Sequence, residues 1–293
     1  MIKILVTGSN GQLGQELQVL AASPAYANYN FTFANRQLLP LHDSYQMQFF
    51  FDANDFDFCI NAAAYTAVDK AESESDLAYL INEKAVDFLA NICHKKNIKL
   101  VHISSDYVYH NTDNMPILES AKINAQGVYA ASKAAGEKKA LQFGNAIVLR
   151  TSWVYSSFGN NFVKTMLRLG KERQHLNVVY DQIGTPTYAA DLAKVILDII
   201  EKWQNKSVDN KAFDKEIYNF SNEGVLSWYD FAQTIFELEN IACEVAPIRS
   251  NQYPTPAARP SFSVMDKNKI KSTFDIQIPY WKESLKKCLS LLK

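Results

Sequence analysis

Short apolar runs that stop at small polar residues recur through the first half of the chain, each followed by a stretch with helical spacing. Lys3–Thr7 (KILVT) runs into Gly8-Ser9-Asn10-Gly11-Gln12-Leu13-Gly14, and a helical pattern covers Gln12 to Leu20. Phe31–Ala34 ends at Asn35-Arg36, and Phe56–Ile60 ends at Asn61 and three alanines. Leu77, Leu80, Ile81, Val86, Leu89 and Ile92 supply most of the apolar positions of a helix predicted over 73–96. Leu100-Val101-His102-Ile103 is a further strand, closed by Ser104-Ser105-Asp106. An Ala-rich helix around 129–138 and a strand at Ala146–Leu149 complete the series. Alternating strands and helices, with strands too apolar to face water, predict an α/β fold built on a doubly wound parallel sheet. Ligands of such sheets sit beyond the carboxyl ends of the strands, where the small polar residues cluster here.

The texture changes after Arg150. A loop at 156–161, a helix to about Arg173, a turn-rich link at 181–187 and a helix over 189–203 follow. The polar run 204–215 reads as a surface loop, and a strand at Ile217–Phe220 would rejoin the sheet. Helices are expected near 228–239 and 281–292, separated by the Pro-rich segment Tyr253-Pro254-Thr255-Pro256-Ala257-Ala258-Arg259-Pro260. The expected division is a dinucleotide-binding unit over 1–154, joined by 176–221, and a smaller unit over 222–293 together with 155–175. No internal repeat or low-complexity tract interrupts this order.

Composition narrows the class only modestly. Thirty basic and 31 acidic residues nearly cancel over 293 positions, so nothing in the balance calls for nucleic acid or a membrane surface. Cys59, Cys93, Cys243 and Cys288 lie far apart without a C-x-x-C pair, and the five histidines form no ligand cluster, so no metal is expected. Met1–Val6 is too short an apolar run for a secretory leader, and no run reaches the roughly 18 residues of a membrane span. A reduced, cytoplasmic enzyme is the expectation.

The chemistry concentrates at two places. Strand, glycine turn and helix at the start of the chain are the context of a dinucleotide fingerprint, in the variant spacing G-x-x-G-x-x-G. Backbone amides of such a turn can approach a pyrophosphate at a helix N-terminus, although glycines also mark ordinary turns. The second place is Tyr129-Ala130-Ala131-Ser132-Lys133, where i, i+4 spacing puts a phenol and an ammonium on one helix face. The cation favours the phenolate, and lowering a tyrosine from about 10 to near 7 requires about 4 kcal/mol. A surface tyrosine beside a solvated lysine is the bland alternative. Ser105, a hydroxyl able to hold a carbonyl oxygen beside the phenol, favours the reactive one.

With those residues in place, the chain resembles the extended short-chain dehydrogenase/reductases and, more narrowly, the dTDP-4-dehydrorhamnose reductase family. The matching stretches are VTGSNGQLG, CINAAAYTAVDKAES, ISSDYVY, YAASKAAGEK, RTSWVY, GNNFVKTMLR, DQIGTPT and YPTPAARP, in one order from Val6 to Pro260. The glycine and Y-x-x-x-K motifs indicate only the superfamily, whereas AVDKAE, RTSWVY with GNNF, and PTPAARP are specific. The resemblance implies a Rossmann-type sheet with a smaller, mostly C-terminal substrate-binding domain. It implies reduction of the C4 keto group of dTDP-4-dehydro-L-rhamnose by NADPH, with NADH also usable. Tyr129 would donate the proton, Lys133 would hold the nicotinamide ribose and tune the tyrosine, and Ser105 would bind the carbonyl. Gly8, Gly11, Gln12, Leu13, Gly14, Ala63, Ala64, Tyr65, Thr66 and Ile103 would line the cofactor cleft. Asp106 and Trp153 would contact the sugar nucleotide, and Arg259 its diphosphate. A homodimer is compatible with the resemblance.

Departures from the family pattern matter too. Ser105 stands where threonine is common, which keeps the hydroxyl. Pro40 stands where Asp is usual in Leu39-Pro40-Leu41-His42-Asp43, so one adenosine contact of the pattern is missing, while Asp43 is counted among the cofactor-binding residues. Some relatives hold magnesium at a dimer interface; here Glu16 is retained but Ala190 is not acidic, so that ion is not expected. The second strand ends in Asn35-Arg36 without an acid, a pair suited to a 2′-phosphate. The enzymatic rivals are another epimerase or dehydratase acting on a nucleotide sugar. A rival of another kind is a non-catalytic cofactor-binding regulatory subunit.

Overall fold

A computed structural model describes residues 1–110 and 113–293. Strand β1 (Ile2–Thr7) leads through the glycine turn to α1 (Gln12–Ala21), then β2 (Tyr29–Ala34), α2 (Ser44–Ala53) and β3 (Phe58–Asn61). Next come α3 (Val68–Ala71), α4 (Ser75–Tyr79), a π-helical turn (Leu80–Lys84) and α5 (Ala85–Lys95). Strand β4 (Lys99–Ser105), α6 (Gly127–Ala140) and β5 (Ala146–Thr151) follow. The second half adds α7 (Phe162–Glu172), β6 (His175–Val179), α8 (Ala189–Asn205), β7 (Glu216–Phe220), α9 (Trp228–Glu239), β8 (Glu244–Ile248), α10 (Asn268–Phe274) and α11 (Trp281–Ser290).

Six strands form one sheet in the order β7-β5-β4-β3-β1-β2, and every pairing is parallel. Alternate side chains leave its two faces. Ile4, Val6, Phe58, Ile60, Val101 and Leu149 pack under α1 and α8, while Leu5, Cys59, Leu100 and Val148 pack against the other layer with Met47 and Leu89. Both faces are therefore covered, as a parallel sheet requires. A separate apolar cluster joins α7, α9 and α11 to the parallel pair β6–β8.

Helix α2, helix α10 and the pair β6–β8 are additions to the sequence reading. Asp43 starts α2 as its N-cap, accepting from the amides of Tyr45 and Gln46 at 3.0 Å each. Met47 and Phe51 then fall on the buried side. The helix expected over 73–96 is continuous from Ser75 but widens into the π turn at Leu80–Lys84. Helix α6 causes the close fit there: a Cβ on Gly136 would be driven into the carbonyl of Asn82. The Asn82 side chain, within the π turn, is buried at 1% exposure between Tyr65 and α6. Asn82 donates to the Tyr65 carbonyl at 3.1 Å and to Ser132 Oγ at 3.0 Å, and accepts from the Tyr65 amide at 2.9 Å. All four cysteines are free and buried. Among the described residues no helix is long and apolar enough to cross a membrane.

Candidate active site

A cleft of about 840 Å³ lies along the carboxyl ends of the sheet strands. Its floor begins at Gly8, which turns with φ +68°; a Cβ there would stand 2.7 Å from the Ala63 amide nitrogen, so β1 and β3 can approach this closely only without one. Gly11 precedes α1 without a side-chain cap, which leaves the first amides of the helix unpaired by any side chain. Gly11, Gln12 and Leu13 face the cleft, as do Ala63, Ala64, Thr66 and Ile103 from the neighbouring strand ends. This concave, uncapped turn fits the pyrophosphate of a dinucleotide.

Two expected cofactor residues stand off the cleft wall. Gly14 packs behind the turn, against Gly8 and Ser9. Tyr65 turns outward, donating its hydroxyl to Glu74 Oε2 at 2.6 Å, a bond that pushes the phenol up to about 12; Asn82 fixes its backbone instead. Asp43 does not line the cleft either: its carboxylate caps α2 and also accepts from Gln46 Nε2 at 2.9 Å. Asn35 and Arg36 do line the cleft at the end of β2. Asn35 Oδ1 accepts from the amides of Gln37 and Leu38, both at 3.0 Å, which leaves its NH₂ as the free donor. Arg36 is exposed and has no ion-pair partner among the described residues.

At the other end, α6 brings Tyr129 and Lys133 to the cleft beside Ser105 and Asp106 from the end of β4. Lys133 is 2% exposed and donates to the Ile103 carbonyl at 2.6 Å. Burial pushes it down to about 8, against the opposing pull of Glu137 one turn further on. The Tyr129 phenol does not show the depression expected from a lysine neighbour. Burial raises it well above its ordinary range, Asp106 and Tyr107 add to the rise, and only the Ser105 hydroxyl opposes it. The Lys133 ammonium points instead at the Ile103 carbonyl. Ser105 donates to Asp106 Oδ1 at 3.0 Å and accepts from the Tyr107 amide at 3.3 Å. Asp106 is pushed up to about 6 by burial, with the Ser263 and Ser105 hydroxyls opposing.

Trp153 has a left-handed backbone, φ +47°, and its ring stacks on Trp228 with centroids 3.6 Å apart and planes 11° from parallel. Both indoles line the cleft. Arg259 does not line it. Its Nη2 donates to Asp69 Oδ2 at 2.6 Å and its Nη1 to the Tyr107 hydroxyl at 3.3 Å, so the Pro-rich loop is latched onto α3 next to the cleft. Sequence reasoning missed three residues that shape the site. Asn82 holds the Tyr65 backbone, Trp228 backs Trp153, and Asn161 donates to Gln12 Oε1 at 2.9 Å, tying the 156–161 loop to the glycine turn. A polar Asn82 on an otherwise apolar helix stripe was one available signal, and Asn161 within GNNF another.

A buried hydroxyl, a phenol and an ammonium at one end of a cleft, with a phosphate-sized backbone cradle at the other, suit hydride transfer to a carbonyl with protonation by the phenol. Comparison with known proteins agrees in class. The model of the RmlD substrate binding domain family matches residues 2–293. A dTDP-4-dehydrorhamnose reductase from Aggregatibacter actinomycetemcomitans is 39% identical over 295 residues, covering 98% of each chain. A dTDP-4-dehydrorhamnose reductase structure from Clostridium acetobutylicum superposes with a TM-score of 0.91 at 38% identity, over 99% of both chains. The Bacillus anthracis dTDP-4-dehydrorhamnose reductase, solved in complex with NADP, gives a TM-score of 0.91 at 36% identity, also over 99% of both.

Proposed function

The chain belongs to the RmlD substrate binding domain family, and from that premise we propose that it reduces the C4 keto group of dTDP-4-dehydro-L-rhamnose to give dTDP-L-rhamnose. The convergence of Ser105, Tyr129 and Lys133 at one end of the cleft carries this reading. A reduced nicotinamide supplies the hydride when bound. The glycine turn would hold its pyrophosphate, Lys133 its ribose, and Asn35 with Arg36 the adenosine end, which favours NADPH over NADH. The Ser105 hydroxyl holds the carbonyl oxygen, and Tyr129 passes its phenolic proton to the alkoxide that forms there. A phenol kept protonated by burial is in the correct state to donate. Lys133, one helical turn from Tyr129, would hold the nicotinamide ribose, and its charge would favour the phenolate left after transfer.

Asp106 and Trp153 are assigned to the sugar nucleotide, with Trp228 as the backing of Trp153. Arg259 is assigned to the diphosphate, which must displace or share the Asp69 contact. The identities of the curated and solved relatives support the reductase over the epimerase, dehydratase and regulatory-subunit alternatives. The deciding experiment supplies dTDP-4-dehydrorhamnose and NADPH and follows cofactor oxidation together with formation of dTDP-L-rhamnose. Turnover that consumes one NADPH per sugar is expected. Absence of cofactor oxidation, or conversion of dTDP-glucose instead, would overturn the assignment.

A further inference from the structure

Helix α6 carries three buried polar side chains at consecutive i, i+4 positions: Tyr129, Lys133 and Glu137. The first two belong to the proposed chemistry. Glu137 lies at 2% exposure and is held by both its oxygens, with Arg150 Nε donating to Oε1 at 2.8 Å and Nη2 to Oε2 at 2.6 Å. Arg150, 1% exposed on β5, spends its remaining Nη1 on the Tyr109 hydroxyl at 2.6 Å and the Glu119 carbonyl at 3.2 Å. Tyr109 in turn donates to Asn219 Oδ1 at 3.0 Å, and Asn219 donates to the Ile117 carbonyl at 2.9 Å. The network thus runs from the edge strand β7 through β5 to the catalytic helix.

A buried pair of this kind is poor value as a source of stability, since apolar residues of equal volume generally do as well. Its place on α6 suggests another use. We propose that Glu137 and Arg150 are positioning residues for Lys133: the bidentate pair fixes the rotation of α6 against β5, and the carboxylate, one turn beyond the lysine on the same face, holds the buried ammonium in its charged form. Arg150 takes most of that carboxylate for itself, so the pair sets how much negative charge Lys133 feels. The inference rests on Lys133 being the cofactor-side cation of the proposed reductase.

The other groups around Lys133 do not supply this counter-charge. His102 on β4 is buried and held neutral by burial and by Lys133 itself. Asp106, Tyr107 and Tyr129 crowd the phenol side, where Asp106 is committed to Ser105. From α5, Asp87 pairs with Lys139 at 3.1 Å on the half-exposed flank of the helix. Glu119 gives its carboxylate to the Asn219 amide at 3.0 Å.

Opposite shifts from the two halves of one pair distinguish this role from a merely structural one. NADPH affinity is measured by fluorescence from pH 7 to 10, for the wild type and for Glu137→Gln, Arg150→Met, Arg150→Lys, the double variant Glu137→Gln/Arg150→Met, and Lys133→Met. Wild-type affinity should weaken as Lys133 loses its proton, and Lys133→Met should lack that transition. Glu137→Gln should move the transition down by about one pH unit, because Lys133 loses its carboxylate and gains an unpaired guanidinium. Arg150→Met should move it up, and Arg150→Lys should leave it in place. The double variant, which keeps the site neutral if either single variant fails to fold, should shift down by less than Glu137→Gln. Equal or same-direction shifts in the two single variants would overturn the proposal, as would a double variant with the wild-type midpoint or a Lys133→Met variant that keeps the transition. The readout needs no sugar substrate, so failed turnover with dTDP-4-dehydrorhamnose would defeat the reductase assignment separately.

Discussion

Two residues in the cleft carry their functional state in their protonation. Tyr129 is buried and its phenol raised, so in the proposed reaction it would enter as an acid, with no activation needed to hold its proton. Removing that proton with Tyr129→Phe should lower kcat by about two to four orders of magnitude, the worth of a positioned general acid, with little change in NADPH Kd because the ring remains. Steady-state kinetics on the nucleotide sugar would test it; more than about a tenth of wild-type turnover would remove Tyr129 from the mechanism. Asp106 makes a thermodynamic prediction. Its carboxyl rises from an ordinary 3.8 to about 6 in the folded chain, burial being the largest cause. The folded state therefore keeps a proton that the unfolded chain has released, and stability is lost as pH climbs through that window and remains lost above it. The loss amounts to at most about 3 kcal/mol. Asp106→Asn cannot ionise, so relative to wild type it should gain about 1–3 kcal/mol between pH 4 and pH 8, whatever hydrogen bonds it forfeits at both. Urea unfolding at the two pH values measures this, and a pH-independent difference would mean that Asp106 ionises freely in the cleft.

The elements differ in how openly the chain declares them. Strands β1, β3, β4 and β5 are largely buried, so each appears as an apolar run cut off by a polar residue, while the edge strand β2 is only half-buried and shows as Phe31–Ala34 alone; the sheet with its ligand edge follows from that. The Tyr129–Lys133 pair needed only helical periodicity. Helix α2 offers a weaker pattern: it starts on its N-cap, Asp43, and buries only Met47 and Phe51. Nothing in the spacing of Leu77 to Ile92 announces the π turn, which lies where Gly136 of α6 packs closely on the Asn82 carbonyl. Trp228 could not be paired with Trp153 from sequence, because 75 positions separate them and only the folded loop stacks their rings. The π turn gives the element-scale prediction. In Gly136→Ala the new methyl meets the Asn82 carbonyl, and two packed helices must separate. Overpacking of this sort costs about 1–3 kcal/mol. The displacement also reaches the cleft, because Asn82 pins the Tyr65 backbone next to Ala64 and Thr66. Denaturant unfolding should show the stability loss, and NADPH affinity of the folded fraction should fall as well. A destabilised variant with unchanged affinity would show that Asn82 braces the helices without shaping the cofactor wall.

At the scale of the whole molecule, the cleft is where both halves of the chain meet. One wall comes from the ends of β1 and β2 with Gly8, Asn35 and Arg36, and the other from Trp153, Asn160 and Trp228. A dinucleotide that binds the folded chain and not the unfolded one must raise global stability by mass action, in proportion to the logarithm of its affinity. Cofactor choice can therefore be read from unfolding as well as from catalysis. The close of β2 carries no acid: Asn35 offers its NH₂ and Arg36 a guanidinium without an ion-pair partner among the described residues, which suits a 2′-phosphate better than a bare hydroxyl. Because Arg36 is exposed, its pair with a phosphate should be worth only about 1–2 kcal/mol, a preference for NADPH of roughly 5- to 30-fold. With both cofactors in equal excess, NADPH should raise Tm by roughly 1–4 °C more than NADH does. Arg36→Ala should close that gap and bring the two kcat/KM values together while leaving Tm without cofactor unchanged. Equal Tm gains in the wild type would mean that Arg36 stays in solvent; a gap that survives Arg36→Ala would assign the 2′-phosphate to Asn35 alone.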